Sequence, residues 1–285
     1  MGVVSAVRTA FPGSDGVRLS ALRRVGDPSL PTVLLVHGLA SNARLWDGVS
    51  ERLGGLGFPT VAVDLRGHGE SDRVEDGFDM ATVADDLAAV LTEVTFAPAL
   101  VAGQSWGGNV VVELAARHPE LVRGVLLVDG GFIRLADRFA SWEEAEAALA
   151  PPRFDGLRRD DLVERAADVF PGFPPSGVHG QLANFEDAGD GTIRPRLSRA
   201  NHMRILRHLY EHDPFRTAPE VEVPVWVLAV SGDMTPRGAV EAFVADLPDG
   251  RLIWAEGHHD IHAQQPDVVA GLVADMASVT EPTGP

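Results

Sequence analysis

One serine in this chain lies in a local pattern that can make it a nucleophile. Residues 103–107 read GQSWG, which fits the pattern G-x-S-x-G with Ser105 at its centre. The pattern follows the apolar run at residues 100–102 and precedes a segment whose apolar residues have helical spacing. In such a strand–turn–helix context the serine Oγ stands clear of the backbone, and the flanking glycines leave room for a sharp turn. The sequence therefore predicts a nucleophilic serine; the alternative is a glycine-rich turn that contains a serine by chance.

A nucleophilic serine needs a base to accept its proton and an acid to orient that base. Downstream of Ser105, the apolar run Val225–Val230 is followed by Asp233, and a strand-like run at residues 252–254 is followed by GHHDIH at residues 257–262. This is the order serine, acid, histidine that accompanies a nucleophile elbow. Acids and bases at the carboxyl ends of parallel strands lie at the edge of the sheet where α/β active sites form. We therefore expect the three strand ends to converge.

The composition excludes several classes of chemistry. The chain has 285 residues, no cysteine and a formal net charge of −17. Thiol catalysis and Cys-ligated metals are therefore excluded, and a nucleic-acid partner is disfavoured. All 24 basic residues are arginine. Without lysine the chain cannot form a Schiff base or supply a P-loop lysine.

The elements that must position these residues alternate between strand-like and helical segments. Such alternation predicts an α/β protein, with a mostly parallel twisted sheet, helices on both of its faces and an inserted helical cap. Two strand-like runs at the start of the chain predict a hairpin. Helical segments interrupted by prolines replace the alternation at residues 131–219, which we assign to the cap. The core is then residues 1–130 and 220–280, and residues 281–285 form a loose tail.

The termini and apolar runs bear on localisation. We expect no signal peptide, because the first eleven residues lack a basic region followed by an apolar run. We also expect no membrane span, because no apolar run approaches the ~20 residues that one requires. A cytoplasmic protein is the resulting expectation.

Several ordered motifs together resemble the α/β-hydrolase superfamily, in its single-domain form with a helical cap. HGL at residues 37–39 resembles the turn that supplies an oxyanion donor, and DLRGHGES at residues 64–71 matches the signature D-x-R-G-x-G-x-S. The elbow at Ser105, the acid at Asp233 and the terminal histidine complete a set that covers nearly the whole chain. The resemblance implies a serine hydrolase that needs no cofactor or metal. A serine at position 105 argues against the dehalogenase and epoxide-hydrolase branches, whose nucleophile is a carboxylate.

The resemblance leaves two choices. A glycine usually precedes the family's histidine, which would select His258, but residues 259–266 resemble the usual stretch from the catalytic histidine to a helix-starting proline. We therefore favour His259. Most members carry the acid where Asp233 stands, and some carry it where Asp129 stands, so we favour Asp233 and interpret Asp129 as structural.

By this resemblance, Ser105 attacks a carbonyl carbon while the backbone N–H groups of Leu39 and Trp106 bind the oxyanion. The predicted function is hydrolysis of a carboxylic ester, lactone or thioester of a small to medium lipophilic substrate. Apolar cap residues are expected to shape its pocket, or else only to pack the cap on the core: Phe154, Phe170, Met203 and Leu206.

Three alternatives remain open. A carbon–carbon bond hydrolase uses the same three residues. A proline-iminopeptidase-like enzyme would need cap carboxylates to hold an α-amino group. A non-catalytic binding protein of the same fold would not need all three residues. The substrate's identity and the oligomeric state are not determined by the sequence.

Overall fold

A computed structural model describes residues 5–95, 97–154, 156–232 and 236–280 of the chain. Its main sheet has eight strands: β1 (Val7–Pro12), β2 (Arg18–Arg24), β3 (Val33–Val36), β4 (Thr60–Asp64), β5 (Ala99–Gln104), β6 (Val122–Val128), and, after a long insertion, the two strands Val225–Val230 and Gly250–Ala255. The insertion contains a separate two-stranded hairpin, β7 (Phe185–Asp187) and β8 (Ile193–Pro195), so the last two strands of the main sheet are β9 and β10.

The strand order in the main sheet is β1-β2-β4-β3-β5-β6-β9-β10. β1 and β2 form the expected antiparallel hairpin, and β2 is also antiparallel to β4. From β4 to β10 every neighbouring pair is parallel. The prediction of a mostly parallel sheet is therefore confirmed. Because the strands run in one direction, the carboxyl ends of β5, β6 and β9 lie at the same edge.

Helices cover both faces of this sheet. They are α1 (Asp47–Gly55), α2 (Met80–Val94), α3 (Trp106–Arg117), and, after the six helices of the insertion, α10 (Arg237–Asp246), α11 (Ile261–Gln264) and α12 (Pro266–Val279). The four residues of β3 are fully buried and alternate between two apolar clusters, Leu34 with the α2–α3 side and Leu35 with the α1–α12 side. This explains why the strand reads as a continuous apolar run without polar alternation.

The insertion between β6 and β9 holds helices α4 (Trp142–Leu149), α5 (Arg159–Glu164), α6 (Ala166–Val169), α7 (Pro175–Leu182), α8 (Arg199–Glu211) and α9 (Pro214–Thr217). Ser141 caps α4, since its Oγ accepts a hydrogen bond from the Glu144 amide at 3.2 Å. Two details differ from the expectation. The apolar residues at 160–170 have the spacing of one helix, but they are divided between two short helices, α5 and α6. The hairpin β7–β8 makes the insertion not purely helical.

The segment after β4 is held by buried ion pairs. Arg66 is fully buried, and its guanidinium donates to both carboxylate oxygens of Asp86, at 2.7 and 2.8 Å. Asp64 accepts from the Ala43 amide at 2.7 Å and from Arg8 at 2.7 Å. Removing either partner of such a buried pair leaves an uncompensated charge. These contacts therefore fix the loop that lies beside the carboxyl end of β3.

In the part of the chain that the structure describes, no helix is both long enough and apolar enough to cross a membrane.

Candidate active site

Ser105 occupies a sharp turn between β5 and α3. Its backbone has φ 53° and ψ −125°, a conformation that a residue with a side chain rarely adopts. Its amide donates to the Val128 carbonyl at 3.1 Å, and its carbonyl accepts from the Gly108 amide at 2.8 Å. The neighbouring strand and the first turn of α3 thus hold the serine in a strained position, which costs roughly 1–3 kcal/mol. Strain of this kind is typical of a residue that must present its side chain.

Glycines make the turn possible. A Cβ added at Gly103 would lie 2.5 Å from the Gly107 carbonyl oxygen, and a Cβ at Gly107 would collide with the His37 carbonyl. Any larger residue at these positions would push β5, α3 and the segment after β3 apart. The two glycines of the G-x-S-x-G pattern therefore have the steric role expected from the sequence.

A histidine and an aspartate meet at the same edge of the sheet. His259 Nδ1 lies 2.6 Å from Asp129 Oδ2, and Asp129 Oδ1 accepts from the Val230 amide at 3.0 Å. The Asp129 side chain is 9% exposed and that of His259 is 49% exposed. Asp129 itself has φ 45° at the end of β6, so its carboxylate is aimed by a constrained backbone. The pair can orient an imidazole and stabilise its protonated form.

The electrostatic environment of His259 favours a proton. Burial alone would lower the pKa of this imidazole, but the hydrogen bond to Asp129 and the nearby carboxylates of Asp260 and Asp129 outweigh it, and the pKa is raised above 6.5. A base with such a pKa is suited to accept a proton from a serine near neutral pH.

The other candidate base is placed differently. His258 has a side chain that is 42% exposed, its Nδ1 accepts from the Asp260 amide at 3.0 Å, and its ring packs on Phe173 with centroids 5.1 Å apart. The structure therefore brings His259, and not His258, to a carboxylate at the strand ends.

The favoured acid, Asp233, lies outside the described residues. The acid that the structure brings to His259 is Asp129, which the sequence analysis interpreted as structural. Two signals in the sequence pointed to it: its position directly after a buried parallel strand, and the Gly130-Gly131 pair that follows it. A Cβ at Gly130 would collide with the backbone of Ser105, so the chain after Asp129 passes directly against Ser105.

The segment after β3 approaches the amino end of α3, where two amides are available. Trp106 is the first residue of α3, so its N–H has no acceptor within the helix. Within the described residues the Leu39 amide also has no backbone acceptor. Leu39 lines the same cavity as Ser105. These are the two amides that the sequence analysis selected as oxyanion donors.

Two buried imidazoles fix the segment that carries Leu39. His37 Nδ1 lies 2.7 Å from the Gly38 carbonyl oxygen, and its Nε2 accepts from the Leu65 amide at 3.0 Å. His68 Nδ1 lies 2.9 Å from the Arg66 carbonyl oxygen, and its Nε2 accepts from the Ala40 amide at 3.3 Å. Each ring therefore donates through Nδ1 and accepts through Nε2, which only the neutral form can do.

Burial keeps both rings neutral. It lowers the pKa of His37 to about 4 and that of His68 to about 3. The rings lie 5.0 Å apart, and His68 stacks on Trp106 at 5.6 Å. Ala40 has φ 58°, so the backbone between these contacts is tightly constrained. The two histidines join the segments after β3 and β4 and hold the amide of Leu39 in place.

A cavity of about 470 Å³ opens over these residues. Its described lining includes Ser105, His259, Asp129 and Leu39, and Arg138 is the remaining charged residue. The rest of the lining is largely apolar: Ile133, Leu135, Leu149, Leu206, Leu209 and Val230. Such a lining suits a lipophilic ligand with a few polar anchor points. We call it the catalytic cavity.

The four predicted cap residues are divided between two places. Leu206 lines the catalytic cavity. Phe154 and Phe170 line a neighbouring cavity of about 330 Å³, and His202 lines both cavities. Met203 packs against the apolar cluster on the α2–α3 side of the sheet and does not line either cavity.

Comparisons with known proteins agree with the fold described above. Residues 31–173 match a family model described as alpha/beta hydrolase fold. A 2-(acetamidomethylene)succinate hydrolase from Mesorhizobium japonicum is 28% identical over 86% of this chain and 87% of its own length. A pimeloyl-[acyl-carrier protein] methyl ester esterase from Neisseria meningitidis is 32% identical over 79% of this chain and 83% of its own length. Among solved structures, an E-2-(acetamidomethylene)succinate hydrolase superposes with a TM-score of 0.80 and 23% identity, covering 96% of this chain and 99% of that one.

Proposed function

Because this chain belongs to the alpha/beta hydrolase fold family, we propose that it is a serine hydrolase that cleaves carboxylic esters, lactones or thioesters through an acyl-enzyme. One observation carries the proposal: the strained Ser105 and the hydrogen-bonded pair His259–Asp129 line one cavity. The relatives include esterases and another hydrolase, which is the same class of chemistry.

In the proposed mechanism, Ser105 Oγ attacks the carbonyl carbon and His259 Nε2 takes the hydroxyl proton. The amides of Leu39 and Trp106 donate to the oxyanion, and removal of one such donor typically costs about 10²–10³ in rate. The imidazolium then returns its proton to the departing alcohol or thiol, which leaves the acyl group on Ser105. Water, deprotonated by His259, attacks the acyl-enzyme, and the acid and the free serine are released.

We propose Asp129, in place of Asp233, as the acid that orients His259. The contact of 2.6 Å to His259 Nδ1 supports this choice, because an Nδ1–H donated to Asp129 leaves Nε2 with the lone pair that must face Ser105. The low exposure of the Asp129 side chain supports it too, since a poorly hydrated carboxylate interacts strongly with an imidazolium.

The lining of the catalytic cavity favours a lipophilic acyl group over an amino-terminal proline. Asp129 is the sole carboxylate in the described lining of this cavity, and it already forms a hydrogen bond with His259. An α-amino group bound there would face the guanidinium of Arg138 without a countercharge. This disfavours the proline-iminopeptidase alternative. A carbon–carbon bond hydrolase would use the same groups and remains the second candidate, which product analysis on vinylogous diketones would separate from an esterase.

The test is covalent labelling combined with an ester panel. Wild-type protein should react with a fluorophosphonate probe and hydrolyse p-nitrophenyl esters, with chain lengths that the 470 Å³ cavity can hold. Ser105→Ala should lose both labelling and hydrolysis while keeping its thermal melting curve, because the change deletes a half-buried hydroxyl only. Labelling of the folded variant at another residue would contradict the assignment of the nucleophile.

A further inference from the structure

A second concave surface, next to the site, carries a quarter of the chain's arginines. Its cavity of about 680 Å³ lies between the start of α8, the hairpin β7–β8 and the loop after β4. We call it the arginine groove and define it by its six lining arginines: Arg73, Arg153, Arg194, Arg196, Arg199 and Arg204. A concentration of this kind is unexpected on a chain with a net charge of −17, because a solvated surface of average composition would be acidic.

Carboxylates of the protein compensate three of these arginines. Glu186 forms ion pairs with Arg73 and, at 2.8 Å, with Arg194, and Glu70 lies 3.1 Å from Arg196. These pairs hold the guanidinium groups on the walls of the groove. The three paired arginines are half of the six that line the groove.

The other three arginines have no carboxylate partner among the described residues. Arg204 donates to the side-chain oxygen of Asn201 at 2.7 Å, and Arg199 donates to the carbonyl of Pro151. Both acceptors are neutral. Arg153 is the third arginine without a carboxylate partner in the described part of the chain. The described carboxylates in or beside the groove are Glu186, Glu70 and the lining residue Glu75, so six arginines face three carboxylates, an excess of three positive charges.

The amino end of α8 lies in the same groove. Ser198 caps this thirteen-residue helix by accepting from the Asn201 amide at 3.1 Å, and the first helical residues, Arg199 and Ala200, line the cavity. Their amides have no acceptor within the helix. Amides and helix dipole therefore add to the field of the guanidinium groups, and both favour an anion.

The charge and geometry of the groove suit phosphate better than a single carboxylate. A guanidinium binds two phosphate oxygens at once through parallel N–H groups, and one phosphate can accept from several arginines. An excess of three positive charges is matched by one or two phosphate groups, whereas a monocarboxylate would leave most of it uncompensated.

A third cavity has lining residues in common with both the groove and the catalytic cavity. The cavity of about 330 Å³ shares six lining residues with the groove, Phe154, Arg196 and Arg199 among them, and shares His202 with the catalytic cavity. It also touches Ala40 and Ser41, directly after the proposed oxyanion donor Leu39. Its described lining is largely apolar. A substrate whose acyl group fills the catalytic cavity can therefore extend its leaving group along this path into the groove.

We propose that the arginine groove binds phosphate groups on the leaving group of the substrate, so that the preferred substrates are acyl esters or thioesters of a phosphorylated alcohol or thiol. This inference rests on the proposed function. The reaction remains hydrolysis: water and the acyl compound give the carboxylic acid and the free phosphorylated alcohol or thiol. The phosphate bonds are not broken.

The first test measures binding without turnover. Titration calorimetry with adenosine 3′,5′-bisphosphate should give a dissociation constant that weakens as salt is raised. In the triple variant Arg153→Gln, Arg199→Gln, Arg204→Gln it should weaken by about tenfold or more, because three charge-assisted contacts are lost. The control is Arg216→Gln, whose side chain is 87% exposed outside the groove and which should bind as wild type does. Absence of binding, or equal loss in triple variant and control, would overturn the inference.

The second test measures preference between substrates with the same acyl group. The ratio of kcat/KM for butyryl-coenzyme A to that for S-butyryl-N-acetylcysteamine should exceed about ten in the wild type and fall toward one in the triple variant. S-butyryl-pantetheine 4′-phosphate separates the two phosphate sources: a ratio as high as that of butyryl-coenzyme A assigns the groove to the pantetheine phosphate, and a lower one assigns it to the nucleotide.

The two tests distinguish failure of the inference from failure of the proposed function. Equal hydrolysis of both butyryl thioesters by an active wild-type enzyme would refute the groove assignment and leave the serine hydrolase intact. A folded wild-type protein that hydrolyses neither thioester nor p-nitrophenyl butyrate would refute the proposed function, and the calorimetric comparison would still decide whether the groove binds phosphate.

Discussion

Asp129→Asn is the substitution that tests the proposed triad most directly. The side chain of Asp129 faces two donors, since Oδ1 accepts from the Val230 amide at 3.0 Å and Oδ2 contacts His259 Nδ1 at 2.6 Å. An asparagine that keeps its oxygen on the Val230 amide must turn its NH₂ group toward Nδ1. The imidazole then has to accept at Nδ1 and carry its proton on Nε2, so it presents a donor instead of a lone pair to Ser105.

The structure also sets the size of the effect. Opposite unit charges 2.6 Å apart interact by roughly 6 kcal/mol at an effective dielectric constant of ~20. The 49% exposure of the His259 side chain reduces this stabilisation of the imidazolium, because solvent screens it. We therefore expect kcat/KM to fall by about 10³–10⁴, or roughly 4–5.5 kcal/mol of transition-state stabilisation. The equivalent change in a serine protease costs about 10⁴.

The assay is kcat/KM on one activated ester, with folding checked by thermal melting and with Asp233→Asn as the matched control. We expect the control to retain most of its activity, because the described contacts already give His259 a carboxylate partner. A collapse of Asp233→Asn beside a nearly normal Asp129→Asn would refute the reasoning and move the acid to the loop after β9.

Further outcomes follow from the histidines. His259→Ala should lower kcat by about 10³ or more, whereas His258→Ala should cost less than tenfold; the reverse order in steady-state assays would show that the base has been misassigned. Because the pKa of His259 is raised, kcat/KM should fall as the pH drops through a value above 6.5. In Asp129→Asn the anion that favours the proton is gone, so the acid limb of the residual activity should move to lower pH, and an unmoved limb in the pH profile would contradict the pairing. His37 and His68 have pKa values of about 4 and about 3, so the unfolded chain binds more protons than the folded one below pH 6.5. Stability should therefore fall as the pH drops, by roughly 2 kcal/mol per histidine at pH 5; urea unfolding at pH 7 and pH 5 measures it, and equal stabilities would refute the assignment of neutral buried rings.

The sharp turn at Ser105 and the strands of the sheet were predictable because their signals are local. The continuous apolar run of β3 indicates a buried strand, and the glycines around Ser105 indicate a sharp turn. The structure has both at the expected places. A parallel sheet follows from the alternation of elements, since parallel strands require crossover connections. The direction of the strands then determines which loops share an edge.

The carboxylate that contacts His259 was not predictable in the same way. Asp129 and Asp233 both follow buried parallel strands, so periodicity and strand-end logic apply equally to them. The contact with His259 depends on a left-handed backbone at Asp129 and on the course of the chain from β10 to α11, neither of which a one-dimensional pattern contains.

The inserted segment was harder for a different reason. Helices α5 and α6 are each a single turn or little more and are separated at Arg165. In the sequence their apolar residues have the same spacing as those of one longer helix. The hairpin β7–β8 has only three residues in each strand, too few for an alternation to be recognised. Such short elements owe their conformation to the neighbours on which they pack.

Asp129 directly follows β6 and lies just ahead of the inserted segment. With the proposed acid at that position, the proposed nucleophile, oxyanion donors and acid all come from residues 39–129, ahead of the insertion. Of the proposed catalytic residues, only His259 follows it. The proposed catalytic groups, His259 excepted, and the inserted segment thus occupy separate stretches of the chain. An insertion of another length or shape could replace the segment between Gly131 and β9 without any change to residues 39–129. The replacement must return the chain to β9 in register. The segment after β10 can then still place the His259 imidazole against the Asp129 carboxylate.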